Sequence, residues 1–275
     1  MIIWQGLGDT QNVATSVGNL ATVLRTQGKI SQAAIFYEQA AYLNQIVGSK
    51  PNMARSLYGL GTVKLHQGNF EVAITYYKRG LTLSEELGDK NIILNALNGM
   101  GRAYLFLNSL NQAFLFTKRG LDIAREIDNK DSIINMLINL AHVTLAQKKY
   151  YKAGLLFKES LTTLRNFSMM RLIPECLEGF AIFFIMQQHL TDAIHLWSHA
   201  QKLRKTCRVP VLPTDNWLCE KHVTETRTHL DEDTWQQAWE TGQKMSLEEA
   251  IDYALEHVLV DERIVGEEAR QETDY

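Results

Sequence analysis

The chain has 275 residues, of which 45% are hydrophobic and 21% charged, a composition ordinary for a folded protein. Its 4 prolines leave room for long uninterrupted helices. No stretch approaches about 18 uncharged apolar residues, which argues against a membrane-spanning helix. The three cysteines, Cys176, Cys207 and Cys219, lack C-x-x-C spacing. We therefore expect reduced thiols and a cytoplasmic location.

The net charge of −3 is divided unevenly along the chain. Residues 1–210 carry 23 basic and 14 acidic side chains, whereas residues 211–275 carry 5 and 17. The basic part would suit an anionic partner, although solvated charges on long surface helices explain the same numbers. Because no dense cluster of Lys and Arg occurs, we expect no direct binding to nucleic acid.

The first ten residues resemble the end of a helix whose beginning is absent. Leu7-Gly8-Asp9 has the same sequence as Leu87-Gly88-Asp89, eighty residues later. We interpret residues 1–10 as the remnant of a preceding repeat. The hypothesis that follows is that the chain is the C-terminal portion of a larger protein.

Residues 11–207 show a repeat with a period of 40. An alanine recurs at this spacing without slippage, and 13 residues before it lies a large apolar residue followed by a small one. An apolar or aromatic residue follows four after the alanine in four of the five cases. The alanines are Ala33, Ala73, Ala113, Ala153 and Ala193, and the later residues are Tyr37, Tyr77, Phe157 and Trp197, with Thr117 as the exception.

This pattern predicts two helices in each repeat, helix A and helix B, with a tight turn between them. Apolar residues at i, i+3 and i+7 form one stripe of a helix, and the small residues allow close approach of a second helix. Gly or Asn in the turns favours a left-handed backbone. We predict helices A at 11–27, 52–67, 92–107, 132–147 and 173–187, and helices B at 30–47, 70–87, 110–127, 150–165 and 190–205.

The repeat resembles a tetratricopeptide repeat of the longer, 40-residue type. Leu57-x-x-Leu60-Gly61, Gly68-x-x-x-x-Ala73 and Tyr77 carry the resemblance in the second unit. It implies an all-α, right-handed solenoid of about five helix pairs, with helices A lining a concave surface that binds a protein or peptide. The predicted ligand-binding residues on that surface are Arg55, Tyr58, Asn95, Asn98, Arg102, Asn135, His142, Glu175 and Glu178.

After residue 207 the period fails, and residues 208–260 are predicted to form a helical cap. Val209-Pro210-Val211-Leu212-Pro213 should break the helix, and Asp215 is expected to open a new one that runs to about Leu230. Gly242 is expected to end the next helix, and Ser246 with Glu249 to form the capping box of the last. Residues 261–275 are acidic, and we predict a disordered tail.

The segment from Leu230 to Ala254 resembles the C-terminal tail of bacterial STAND-type and LuxR- or MalT-like signalling regulators. Trp239-x-x-Gly242-x-x-Met245-Ser246-x-x-Glu249-Ala250 carries this resemblance. It implies a sensor or regulatory arm that binds a protein or small effector and controls an upstream NTPase or effector domain. A stand-alone adaptor and a peptide-binding, quorum-sensing-type regulator remain alternatives.

The motifs of catalysis are absent from the sequence. There is no G-x-x-x-x-G-K-[ST], G-x-S-x-G or H-E-x-x-H motif. His195 and His199 lie one helical turn apart, and Cys219 lies three residues before His222, but neither pair has the further ligands of a metal site. We therefore expect no enzyme activity, no metal and no cofactor.

Overall fold

The computed structural model describes residues 9–167 and 170–257, without the side chains of 215–219. These residues form thirteen α-helices, one short 3-10 turn at Met170–Leu172, and no strand. The all-α class is therefore confirmed. The helices are α1 (Thr10–Thr26), α2 (Ile30–Ile46), α3 (Lys50–His66), α4 (Phe70–Leu87), α5 (Lys90–Phe106), α6 (Leu110–Glu126), α7 (Lys130–Ala146), α8 (Tyr150–Phe167), α9 (Ile173–Met186), α10 (Leu190–Cys207), α11 (Pro213–Arg227), α12 (Glu232–Lys244) and α13 (Leu247–His257).

The ten repeat helices begin and end within two residues of their predicted bounds. The main difference is that α3, α5 and α7 start two residues early, at Lys50, Lys90 and Lys130. For α5 the physical reason is Asp89, whose carboxylate accepts hydrogen bonds from the N–H groups of Asn91 and Ile92, each at 3.1 Å, and for α7 it is Asn129, whose Oδ1 accepts from the N–H of Ser132 at 3.0 Å. A side chain that caps the first turn lets the helix begin at the next residue.

The turns between helices A and B keep a left-handed backbone whether or not they contain glycine. Gly28 and Gly68 have φ of 76° and 79°, and Asn108, Lys148 and Gln188 have φ of 54°, 62° and 65° at the equivalent positions. A non-glycine residue in this region costs roughly 1–2 kcal/mol. Packing of the two helices therefore dictates the turn conformation, and the glycines only lower its cost.

The described residues divide into two compact units. Unit 1 runs to Ser132 and also includes Leu212–Thr214. Unit 2 comprises Ile133–Val211 and the chain from Asp215 onward. Unit 2 has one hydrophobic core that α7 to α13 share, with Phe157, Phe180, Phe183 and Phe184 among its fully buried side chains.

Within each unit, an aromatic side chain in helix B packs against a glycine in the next helix A. A Cβ atom added to Gly59 would overlap the Tyr37 ring, and one added to Gly99 would overlap the Tyr77 ring. Phe157 stands in the same relation to Gly179. These rings occupy the space that an ordinary side chain would fill, so the glycine sets how closely consecutive repeats can approach.

The break at the prolines is confirmed, because residues 209–212 are not helical, but the next helix starts earlier than predicted. It begins at Pro213 rather than Asp215. Proline is well suited to the first turn of a helix because its missing N–H would have no partner there. Asp231 then caps α12, since its carboxylate accepts from the N–H of Thr234 at 2.8 Å.

Gly242 has a different role from the one predicted. Helix α12 continues two residues beyond it to Lys244, so the glycine does not end the helix. A Cβ at this position would overlap the backbone carbonyl oxygen of His195 in α10. Gly242 therefore permits close contact between α12 and α10.

The predicted capping box of α13 is confirmed. The Glu249 N–H donates to Ser246 Oγ at 3.2 Å, and the Ser246 N–H donates to Glu249 Oε2 at 2.7 Å. These bonds lower the pKa of the Glu249 carboxyl. Trp235 and Trp239 both meet Trp197 of α10 edge-on, so α12 packs against the last helix pair as a cap would.

Candidate functional site

The three helices A of unit 1 share an unusual charge. Helices α1, α3 and α5 together contain six Lys or Arg residues and no Asp or Glu. The helices B of the same unit carry both signs, as at Glu85 and Arg119. Two of the six, Lys50 and Lys90, pair with Glu86 and Glu126 of helices B, which offsets part of the excess positive charge of the helices A.

We call the outward row of these helices the A-face. It comprises the residues at three equivalent positions of each helix A that are not used to pack the pair. The A-face of unit 1 consists of Thr15, Gly18, Thr22, Arg55, Tyr58, Thr62, Asn95, Asn98 and Arg102.

A small cavity lies on the A-face between α1 and α3. Its volume is about 70 Å³, room for roughly two water molecules or one amide group. The side chains of Asn44 and Tyr37 from α2 close its floor. Its remaining lining residues are Ala14, Thr15, Gly18, Asn19, Thr22, Asn52, Arg55 and Ser56.

One hydrogen-bond acceptor in this cavity lacks a partner. Asn44 is 2% exposed, and its Nδ2 donates to Ser56 Oγ at 3.2 Å, but its Oδ1 accepts no hydrogen bond from any residue that the structure describes. Nearby, Asn52 Nδ2 donates to Thr15 Oγ1 at 3.3 Å. A buried amide oxygen without a donor is costly, so the cavity is suited to a group that brings an N–H.

Buried tyrosines support the A-face from below. The Tyr77 hydroxyl donates to Thr62 Oγ1 at 3.2 Å, and Tyr37 and Thr22 make the equivalent contact at 3.1 Å. Burial raises the pKa of Tyr77, so its hydroxyl stays protonated and able to donate. The A-face threonines are thereby held in place by the helices B.

Unit 1 brings together five of the predicted site residues. Arg55, Tyr58, Asn95, Asn98 and Arg102 lie along α3 and α5 on the A-face. Arg55 and Asn95 are exposed, and the other three are half-buried. Arg102 also donates from Nη2 to Thr214 Oγ1 at 3.2 Å.

The other predicted site residues lie in unit 2, where two are part of the interior. His142 is 8% exposed and meets the Phe157 ring edge-on at 5.3 Å between centroids. Glu178 is 4% exposed, and both of its carboxylate oxygens accept from Arg204, each at 2.6 Å. Asn135 and Glu175 are half-buried.

The sequence reading overlooked Asn44 and Asn52 as site residues. The signal was available, because the repeat position of Asn44 holds Ser84, Ala124, Leu164 and Arg204 in later repeats and is buried in each. A polar residue in a buried column requires a local hydrogen-bonding partner.

A larger cavity of about 550 Å³ lies between α2, α3 and α4 and shares Asn44 with the smaller one. Met53, Leu57 and Leu83 supply apolar wall, and Lys50 and Arg79 supply positive charge. Lys50 also pairs with Glu86 at 3.2 Å. Both cavities are lined by Asn44, so a ligand in either one would lie beside the same buried amide.

The histidines of α10 give unit 2 a pH-dependent stability. His199 is 1% exposed, and burial lowers its pKa, as does Lys202, while the Gly242 carbonyl and Glu249 act in the opposite direction. The unfolded histidine, with a pKa of about 6.5, then binds protons that the folded one resists. Stability is therefore complete above about pH 6.5 and falls as the pH drops below it.

We expect His199→Gln to make this pH dependence shallower. Chemical denaturation of the wild type, followed by the same probe at both pH values, should show a lower unfolding free energy at pH 5.5 than at pH 7.5. The variant should lose less over that interval, because one group with a lowered pKa is gone while His195 and His222 remain. An unchanged slope would contradict a role for His199 in the titration.

Within residues 9–167 and 170–257, no three His, Cys, Asp or Glu side chains come together in a way that could hold a metal ion. None of their helices combines the length and apolar character needed to cross a membrane.

Comparison with known proteins agrees with this architecture. The model of the family described as the MalT-like TPR region matches residues 7–248. No curated protein matches by sequence. Among solved structures, the nearly identical TPR-like repeats of a chain from Podosopora anserina described as a kinesin light chain superpose with a TM-score of 0.52 at 16% identity, covering 70% of this chain and 96% of that one.

A second structure of those repeats gives a TM-score of 0.51 at 15% identity, covering 70% of this chain and 95% of that one. At such low identity the likeness concerns the fold alone. Repeat regions of this kind are generally non-catalytic and act as protein-interaction modules. The family match covers most of the chain, and the chain therefore belongs to the family of MalT-like TPR regions.

Proposed function

We propose that this chain is a peptide- or protein-binding module that acts as the sensor arm of a bacterial-type signalling regulator. Its ligand binds along the A-face of unit 1 in an extended conformation. The regulator's NTPase or effector domain would be the element that responds to binding.

The observation that carries the proposal is the unpartnered Oδ1 of Asn44, a residue of α2 that lines the cavity on the A-face. Three neighbouring helices A present only positive charge, and the cavity between two of them contains a buried acceptor without a donor. An extended peptide supplies a regular series of backbone N–H groups, one of which would satisfy Asn44.

The charge on these helices favours a ligand with acidic side chains or a free carboxylate. Arg55 is exposed on α3 and can bind a carboxylate through two parallel hydrogen bonds. Asn95, at the equivalent position of α5, can offer both a donor and an acceptor to a peptide group. Two such side chains on adjacent helices would hold an extended segment at two points.

Capture from the source cell with paired variants tests the proposal. The Arg55→Ala/Asn95→Ala variant should bind its partner roughly ten- to a hundredfold more weakly, since each truncation removes about 1 kcal/mol or more of hydrogen bonding. The matched control is Arg119→Ala/Asn111→Ala, which removes the same residue types from exposed sites on α6, a helix B that lines neither cavity.

A protein counts as a partner only when the wild type and the control retain it and the A-face variant loses it. Far-ultraviolet circular dichroism of all three proteins should show the same helicity. Binding to a purified partner should also weaken as salt is raised, because exposed charges are screened. A partner that both double variants retain equally would overturn the A-face as the binding surface.

A further inference from the structure

A segment of the chain itself lies on the A-face of unit 1. Leu212–Thr214 belongs to unit 1, although the residues on either side of it in sequence belong to unit 2. Thr214, the second residue of α11, is 0% exposed, although threonine is mostly exposed in folded proteins. The segment is therefore docked rather than passing through solvent.

The hydroxyl of Thr214 bridges two helices A. Arg102 of α5 donates from Nη2 to Thr214 Oγ1 at 3.2 Å, and the same oxygen lies 3.0 Å from His66 Nδ1 of α3. The tautomer of His66 decides whether the hydroxyl or the imidazole donates in this second bond. In either case the Thr214 hydroxyl is hydrogen-bonded to both α3 and α5.

Two residues earlier, Leu212 provides the apolar part of the contact. It packs against a buried cluster contributed by α1, α2 and α3. That cluster consists of Ala21, Ile30, Ala33, Tyr37, Leu60 and Val63. Pro213, between the two anchors, restricts its own backbone φ and lacks an N–H, so little conformational entropy is lost on docking.

We propose that the A-face of unit 1 recognises an aliphatic–Pro–Thr or aliphatic–Pro–Ser segment, and that Leu212–Thr214, which leads into α11, is the resident occupant which a partner must displace. This inference rests on the proposed function and specifies its ligand. The partner is a protein that exposes such a tripeptide, with acidic residues nearby to match the positive helices A.

A tethered occupant lowers the apparent affinity for an external ligand. An intramolecular segment competes at an effective concentration on the order of millimolar. The apparent dissociation constant of a partner equals its intrinsic value divided by the fraction of molecules in which the A-face is open. Weakening the resident segment should therefore strengthen binding of an external one.

The test uses the full chain and a fluorescein-labelled peptide with the sequence of residues 209–216, followed by fluorescence anisotropy. The Leu212→Ala/Thr214→Val variant should bind the peptide at least about tenfold more tightly than the wild type, since its own segment has lost an apolar anchor and two hydrogen bonds. Adding Arg102→Ala to that variant should remove the gain. A peptide carrying the Thr214→Val change should bind roughly tenfold more weakly.

Two controls keep the comparison decisive. Thr206→Val alters an exposed threonine of α10 that bonds only to its own helix, at Lys202 O, and should leave peptide binding as in the wild type. Thr214→Val alone preserves side-chain shape, and it provides the comparison if thermal melting shows that the double variant is destabilised.

The inference would be overturned if the peptide bound the wild type and the variants with equal affinity. It would also be overturned if the tighter peptide binding persisted after Arg102→Ala, or if the peptide bound to none of the variants. Such a failure is distinguishable from failure of the proposed function. Suppose that the Arg55→Ala/Asn95→Ala variant loses a partner, but the peptide does not compete with that partner for the wild type. The A-face would then remain the binding surface, and only the tripeptide would be rejected.

Discussion

Replacing Glu178 by Ala is expected to lower the unfolding free energy by about 3–5 kcal/mol, the usual cost of leaving one member of a buried ion pair unpaired. Glu178 and Arg204 each have side chains that are 5% exposed, and their two hydrogen bonds are 2.6 Å long. Arg204 Nη1 also donates to the Pro210 carbonyl oxygen at 3.1 Å. Urea denaturation followed by circular dichroism would measure the change.

The double variant Glu178→Leu/Arg204→Met separates loss of the pair from loss of packing. Replacing both charges with apolar side chains should recover most of the lost stability, since no buried charge then remains. Arg165→Ala is the matched control, because its partners Glu248 and Asp252 are exposed and the change should be much smaller. A double variant less stable than Glu178→Ala would show that the pair contributes more than mutual neutralisation.

Replacing Gly99 by Ala should destabilise the chain by about 1–3 kcal/mol through overpacking, although alanine is the better helix former. The added methyl group would overlap the Tyr77 ring. Tyr77 cannot move aside easily, because it is 0% exposed and its hydroxyl is hydrogen-bonded to Thr62. A Cβ at Gly61, on its other side, would approach the same ring to 2.7 Å. Thermal and urea unfolding would both report the loss.

A double-mutant cycle with Tyr77→Ala checks that the ring is the cause. Gly99→Ala should cost little in the Tyr77→Ala background, because the cavity left by the ring accommodates the methyl group. Gly18→Ala is the matched control, since its nearest neighbour would be Ala40 Cβ at 3.7 Å. It should be neutral or stabilising by up to about 1 kcal/mol. Equal costs for Gly99→Ala in both backgrounds would refute the account.

The helix-pair architecture could be predicted from the sequence because the same physical constraint recurs every 40 residues. Ala33, Ala73, Ala113, Ala153 and Ala193 are all 0% exposed, as expected of small residues at a close helix contact. The turn conformation was also predictable, since Gly28 and Gly68 mark a left-handed position that Asn108, Lys148 and Gln188 then adopt. Local chemistry and repetition agree at these sites.

The ion pair of unit 2 was less accessible to sequence reasoning. Glu178 occupies the repeat position of Tyr58 and Asn98, which are half-buried A-face residues, so the period favoured a ligand-binding role. Its partner Arg204 occupies the column of Asn44, Ser84, Ala124 and Leu164, all of them buried. A charge in a buried column requires a counter-charge, but the period alone does not say which acidic residue supplies it.

The A-face was located by the period, whereas the groups that give it chemical character were not. The exposure of Arg55 and Asn95 could be predicted from their spacing on helix A. Asn44 belongs to helix B, and Thr214 lies 112 residues from its partner Arg102. Contacts over such distances are decided by tertiary packing, which no local pattern encodes.

The glycine–aromatic contacts also make the three repeats of unit 1 structurally non-equivalent. The first repeat carries Asn19 where the next ones carry Gly59 and Gly99, and the third carries Thr117 where the others carry Tyr37 and Tyr77. Only the second of these three repeats, residues 50–89, has both a glycine to receive a ring and a ring to insert. Tandem copies of that segment would stack on one another without a mismatch, so it is the natural unit for gene duplication and for lengthening the array by design.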